Sequence, residues 1–126
     1  MNIKKVSELT GLSADTIRYY EKIGLLPPVR RTASGIRDFR EQDISILNFV
    51  KCFRKVGMTV ENLADYMALV QEGDKTIGAR LALLLAEKKR LELQLEELQS
   101  ALERLNYKID NYETSIGQLE KSLFDD

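Results

Sequence analysis

Apolar side chains recur at helical spacing through most of this chain, in short blocks punctuated by glycine. Ile3, Val6 and Leu9 fall three residues apart and predict a short helix over residues 3–10. Gly11-Leu12-Ser13 ends it, because glycine tolerates the left-handed backbone that closes a helix. Ser13 is placed to cap a second helix from about Ala14 to Ile23, with Asp15 at the positive end of its dipole and Gly24 as its stop. Two short helices around one central glycine predict a helix-turn-helix over about residues 4–23. Pro27-Pro28 cannot continue a helix. The turn signal Ala33-Ser34-Gly35, flanked by Arg30, Arg31 and Arg37, predicts a small β-hairpin wing over about residues 28–40, with Gly35 at positive φ. A third helix is expected over Asp43–Val56, where Ile46, Val50 and Phe53 share a face and Leu47 and Phe49 lie beside it. Gly57 ends that helix, and Thr59 caps a fourth over Val60–Glu72 with Leu63, Tyr66, Met67 and Val70 as its apolar set.

Beyond Thr76 the pattern changes. Leu84 is followed, after an interruption at Lys88, by Leu91, Leu95, Leu98, Leu102, Leu105, Ile109, Tyr112, Ile116, Leu119 and Leu123. From Leu91 the steps alternate between four and three, and the residues between are mostly Glu, Lys, Arg and Gln, which is a heptad stripe. A helix of about 37 residues would be roughly 55 Å long and could not bury such a stripe within its own small chain. It must pair with a second chain, and a symmetric homodimer is the default, held by Leu84, Leu91, Leu95, Leu98, Leu102, Leu105 and Ile109. Thr114-Ser115 and Gly117 weaken the end of the helix. The tail after Asn111 either continues or folds back, and the heptad phase favours continuation. The expected architecture is mostly α: a winged helix-turn-helix head over residues 1–72, then a dimerisation helix and tail over residues 73–126.

Charge adds a division that the whole-chain value of −1 hides. Residues 1–57 carry 11 Lys+Arg against 6 Asp+Glu, a net +5, whereas residues 58–126 carry 8 against 14, a net −6. A polyanion is therefore expected as the partner of the first half. Histidine is absent and Cys52 is the single cysteine, so an internal disulfide, a His/Cys zinc site and a Ser–His or Cys–His catalytic pair are all excluded. The chain is expected to be no enzyme and to need no cofactor or metal. It has no apolar run of about 18 residues and no apolar stretch behind its basic N-terminal residues, which predicts a cytoplasmic protein without a membrane partner.

Two features could carry chemistry. On the second helix Arg18, Tyr19 and Lys22 lie away from Ile17, Tyr20 and Ile23. An arginine there can reach guanine edges or grip phosphate, and a tyrosine hydroxyl can donate to phosphate; an ordinary charged surface is the alternative. Cys52, beside Lys51 and three residues from Lys55, is either a small buried hydrophobe or a thiol favoured as thiolate by its lysines.

The segment Val6-Ser7-Glu8-Leu9-Thr10-Gly11-Leu12-Ser13, with Thr16-Ile17-Arg18-Tyr19-Tyr20-Glu21-Lys22-Ile23-Gly24-Leu25-Leu26, resembles the N-terminal signature of MerR-type regulators. Gly35-Ile36-Arg37-Asp38-Phe39, Asp43 and Arg54-Lys55-Val56-Gly57-Met58 are similar to further parts of it. The resemblance covers residues 1 to about 72 by motif and the long helix by architecture. It implies a homodimer with antiparallel dimer helices on a pseudo-palindromic promoter, each recognition helix in a major groove. It also implies activation by bending and untwisting the promoter so that RNA polymerase can engage both of its elements. The implied DNA contacts are Thr16, Arg18, Tyr19 and Lys22 on the recognition helix, Arg37 and Phe39 in the wing, and Arg54 and Lys55 beyond it. Phe39 stands where the family commonly carries Tyr, so a hydroxyl contact to phosphate there is either lost or of no importance. Family metal sensors carry two or three cysteines near the dimer helix, and this chain has none there. A lone Cys52 without a separate sensory domain resembles the aldehyde- and electrophile-responsive branch (AdhR- or NmlR-like) and implies Cys52 as sensor. A regulator of a reversibly bound small molecule with a structural Cys52, and a coiled-coil protein-interaction module, are the alternatives.

Overall fold

The computed structural model describes residues 1–124, and these are mostly helical. Among them the helices are α1 (Ile3–Thr10), α2 (Ala14–Lys22), α3 (Glu41–Lys55), α4 (Val60–Glu72), α5 (Ile77–Asp110) and α6 (Gly117–Ser122). A 3₁₀ turn over Asp74–Thr76 precedes α5, and a π turn over Tyr112–Ile116 precedes α6. The chain divides into two units, Met1–Glu87 and the segment from Lys88 onward. No described helix is long and apolar enough to cross a membrane.

Local chemistry sets the helix ends of the first unit. Asn2 Oδ1 accepts the Lys5 N–H at 2.9 Å, Ser13 Oγ the Thr16 N–H at 3.1 Å and Thr59 Oγ1 the Asn62 N–H at 3.1 Å, so three helices start on side-chain caps. The α3 start lies two residues before the predicted one. Asp43 sits in the first turn and accepts the Arg40 N–H at 2.9 Å, which makes Arg40 the cap. Gly11 closes α1 at φ +75°, with its N–H on the Ser7 carbonyl at 2.9 Å. The Lys51 ammonium of α3 reaches the Thr10 carbonyl at 2.6 Å and so satisfies a second orphan acceptor at the same helix end.

Two buried clusters fill this unit. One joins Val6, Ile17, Leu26, Val29, Phe39 and Leu47; the other joins Leu25, Val50, Met58 and Leu63. Tyr20 and Ile46 pack against both. Leu25 and Leu26 follow α2 in a non-helical segment, where neighbouring side chains diverge, so one enters each cluster. Each such side chain contributes about 1.5–3 kcal/mol when fully buried. Leu83, in the first turns of α5, packs on the second cluster, which carries this unit to Glu87.

The predicted β-hairpin is reduced to a loop with one antiparallel bridge, Arg31 to Arg37, and no strand forms among the described residues. Thr32 N–H donates to the Ile36 carbonyl at 2.8 Å and Asp38 N–H to the Arg30 carbonyl at 2.7 Å, around a turn whose Gly35 has φ +86°. The ladder does not lengthen, because at its next hydrogen-bonded position Pro28 has no N–H and the Arg40 N–H goes to Asp43 Oδ2 at 2.9 Å. The N–H groups of Val29 and Phe39 serve partners outside it. Val29 N–H goes to Glu21 Oε2 at 2.7 Å, and Phe39 N–H to the Met1 carbonyl at 2.7 Å. Pro27 and Pro28 have no N–H to offer.

The second unit departs from the straight tail that the heptad phase favours. Lys108 Nζ pairs with Glu120 Oε2. Twelve residues of straight helix would separate them by about 18 Å, so the chain after Asn111 turns back along the end of α5. Ile116 and Leu119 thereby face Tyr107 and Arg104 across a cleft of about 720 Å³. Gly117 permits the turn, since a Cβ there would meet the Tyr112 carbonyl oxygen at 2.1 Å.

Candidate nucleic-acid interface

The recognition-helix candidate is α2. Ile17 is fully buried and Tyr20 half-buried, which leaves Asp15, Arg18, Tyr19 and Lys22 exposed on one face at spacings of three and four. Arg18 Nη1 touches Asp15 Oδ1 at 3.0 Å, and both side chains are well exposed. A surface pair of this kind contributes about 0.2–1 kcal/mol, little enough for a competing phosphate or base edge to displace it. Tyr19 is 51% exposed, with its ring 6.2 Å from that of Tyr20. Thr16, by contrast, is half-buried and belongs to the helix cap, receiving the Ser13 hydroxyl at 2.8 Å.

The wing brings further cations to the surface. Arg30 pairs with Asp38 at 2.6 Å, and Arg31 donates to the Gly35 carbonyl at 2.9 Å; both residues are exposed. Ile36 at the wing tip is 61% exposed. Arg37 is placed differently from the sequence expectation. Its Nε–H donates to Glu21 Oε1 at 2.7 Å, with both side chains mostly covered. Burial pushes the Glu21 carboxyl up, but the hydrogen bonds from Arg37 and the Val29 N–H, with the charges of Arg37 and Arg31, outweigh it and hold the group below its ordinary value. Glu21 was not among the sequence-derived candidates. The signal was an acid one turn from the buried Ile17, off the exposed face of Arg18 and Lys22, sixteen residues from an arginine.

Phe39 requires a correction. It is 2% exposed and belongs to the first core cluster, so its side chain does not face DNA. Its ring carries no polar group, and the apolar cluster beside Ile17 and Leu47 is where it is most stable. Arg54 and Lys55 are exposed at the end of α3, and Arg54 Nη1 also donates to the Met58 carbonyl at 2.9 Å across Gly57. Cys52 is a free, exposed thiol, not a buried hydrophobe. Lys51, expected beside it, directs its ammonium to Thr10 instead.

The sequence matches the family model for the MerR HTH family regulatory protein over residues 1–69, and that described as MerR, DNA binding over residues 44–107. It is 50% identical over 91 residues to the HTH-type transcriptional regulator AdhR of Bacillus subtilis (strain 168), a match covering 72% of this chain and 65% of that protein. The chain thus spans about two-thirds of that relative's length. Among solved structures, a MerR family transcriptional regulator from Listeria monocytogenes superposes with a TM-score of 0.88 at 45% identity, covering 98% of this chain and 93% of that one. HiNmlR, described as a MerR family regulator lacking the sensor domain and bound to promoter DNA, superposes with a TM-score of 0.81 at 34% identity, covering 92% of each chain. With an exposed basic face on the second helix of a helix-turn-helix, a cationic loop after it and matches that run through the head into α5, the chain belongs to the MerR family of helix-turn-helix regulatory proteins.

Proposed function

We propose that the protein is a transcriptional regulator that binds double-stranded promoter DNA through the exposed α2 face, with the wing alongside on the phosphate backbone. The observation that carries this is Arg18, Tyr19 and Lys22 presented together on a helix whose other face is locked into the core. HiNmlR, similar over 92% of its chain, is bound to promoter DNA. Arg18, Tyr19 and Lys22 read bases and phosphates; Arg54 and Lys55 add backbone contacts. The active species is a homodimer. Leu95, Leu98, Leu102, Leu105 and Ile109 are each more than half exposed in the single chain, a stripe that a second α5 would cover. Antiparallel pairing sets two heads on successive turns of a pseudo-palindrome, and distortion of that promoter presents it to RNA polymerase.

Cys52 is the trigger in this proposal. Its thiol is open to solvent, and addition to an aldehyde carbonyl forms a C–S bond while the thiol proton passes to the carbonyl oxygen. The adduct, one turn from Phe49 on the same helix and near its cap Val56, changes how α3 packs. A reversibly bound small molecule is the second possibility, favoured by the cleft lined by Arg104, Tyr107, Lys108, Ile116 and Leu119.

Footprinting on the protein's own promoter, with and without formaldehyde, tests both parts. The native protein is expected to protect a symmetric site, with affinity that falls steeply with salt. Arg18→Ala should lose about 1–3 kcal/mol of binding and relax specificity at one position per half-site. Binding that ignores salt would defeat the DNA proposal. A Cys52→Ser variant that still responds normally to aldehyde would defeat the trigger and leave the cleft as the sensory site.

A further inference from the structure

We infer that Glu21 is the positioning residue that locks the wing to the recognition helix, and that Arg37 serves this lock and not a phosphate contact. The inference rests on the DNA-binding function proposed above. One carboxylate spans three pieces of structure. It belongs to α2, three residues after Arg18; its Oε2 accepts the backbone N–H of Val29 on the arm entering the wing, and its Oε1 accepts Nε–H of Arg37 on the arm leaving it, both at 2.7 Å. The bonds are short and charge-assisted, a class about twice as strong as neutral ones. The Glu21 side chain is 14% exposed and that of Arg37 is 25%, so water competes poorly.

The wing needs such a lock because it has little of its own. Its arms share one bridge, and its other ion pairs, from Asp38 to Arg30 and to the Met1 ammonium, do not reach α2. Val29 and Phe39 root the wing in the core with Ile17, but apolar packing is non-directional and leaves the tilt of the loop to the Glu21 bonds. With the tilt held, Arg30 and Arg31 are preset relative to Arg18 and Lys22, and the order is already in place before DNA arrives.

Two simple accounts predict opposite signs for Glu21→Gln. If Glu21 were only a negative charge near the phosphates, removing it would tighten DNA binding. If it positions the wing, removing it loosens binding, because Val29 and Arg37 use different carboxylate oxygens and in glutamine one of these becomes an NH2 group that faces a donor. The test measures affinity, salt slope and hydroxyl-radical footprints on the protein's own promoter fragment for native protein, Glu21→Gln, Arg37→Gln and the double variant. Glu21→Gln is expected to weaken binding roughly tenfold, with wing-side protections lost and recognition-helix protections kept. Arg37→Gln should do the same, and the double variant no worse than either single one. Faster exchange of the Val29 amide in folded Glu21→Gln reports the lock directly. Glu21→Asp, which keeps the charge but shortens the reach, should behave like Glu21→Gln and serves if the latter folds poorly. Tighter or unchanged binding in Glu21→Gln or Glu21→Asp, or additive losses in the double variant, would overturn the inference. A native protein that leaves no footprint would instead overturn the DNA-binding proposal.

Discussion

Replacing Gly11 by Ala tests the turn that sets α1 against α2. The residue sits at φ +75°, and a Cβ built there would lie 3.0 Å from Lys51 Nζ. Left-handed backbone costs an L-residue about 1–2 kcal/mol. The new methyl also crowds the ammonium that bonds the Thr10 carbonyl at 2.6 Å. Lysine is flexible and its ammonium can withdraw, so this second effect is the loss of one charge-assisted bond at an exposed residue, about 1 kcal/mol or less after screening. Together they give a loss of about 1–3 kcal/mol, a large part of the stability of so small a head. Urea unfolding followed by circular dichroism, at one fixed protein concentration because dimerisation is linked to stability, measures it. Lys51→Met separates the two effects: in that background Gly11→Ala should cost only the backbone share. A cost below about 0.5 kcal/mol in both backgrounds would refute the strained-turn argument. Equal costs in the two would refute the role given to Lys51.

Phe39→Ala should lose about 3–5 kcal/mol of stability, as a buried ring does on truncation, and any loss of DNA binding should track the unfolded fraction. Glu21 should make the head acid-sensitive. Its folded carboxyl lies below the ordinary value of 4.5, so the stability it contributes is complete above that value and is lost as pH falls through the lower folded one. Thermal melts across this range should show a shallower acid limb in Glu21→Gln; an identical limb would mean that the carboxylate does not hold the wing. Gly117→Ala, whose Cβ would meet the Tyr112 carbonyl oxygen at 2.1 Å, should open the turned-back tail. Hydrogen exchange should then speed up over residues 112–122 while the melting of the head stays unchanged.

Much of this protein was determined by interactions within a few residues of each other, and these are legible in the sequence. Ser13 and Thr59 cap helices because a hydroxyl reaches an N–H three residues on, and Gly11 and Gly35 close turns because only glycine adopts their backbone freely. The heptad stripe is likewise a property of one helix, and so is the exposed face of Arg18, Tyr19 and Lys22. What only the tertiary structure decided are partnerships across longer stretches of chain. Leu25, Leu26, Val29 and Met58 lie between helices, where no periodicity marks them, yet they build the core. Phe39 sits in a wing motif and turns inward. Arg37 is taken by Glu21 sixteen residues earlier, and Lys51 by Thr10 forty-one residues earlier, so neither has the surroundings that its sequence neighbours suggest. The tail obeys the heptad phase as far as Ile109 and then reverses. Periodicity states which face is apolar; it does not state whether that face is covered by a second chain or by the same one turning back. A charge or an apolar side chain takes the partner that the fold brings within a few ångströms, and that choice is made by packing, after the local rules have shaped the helices.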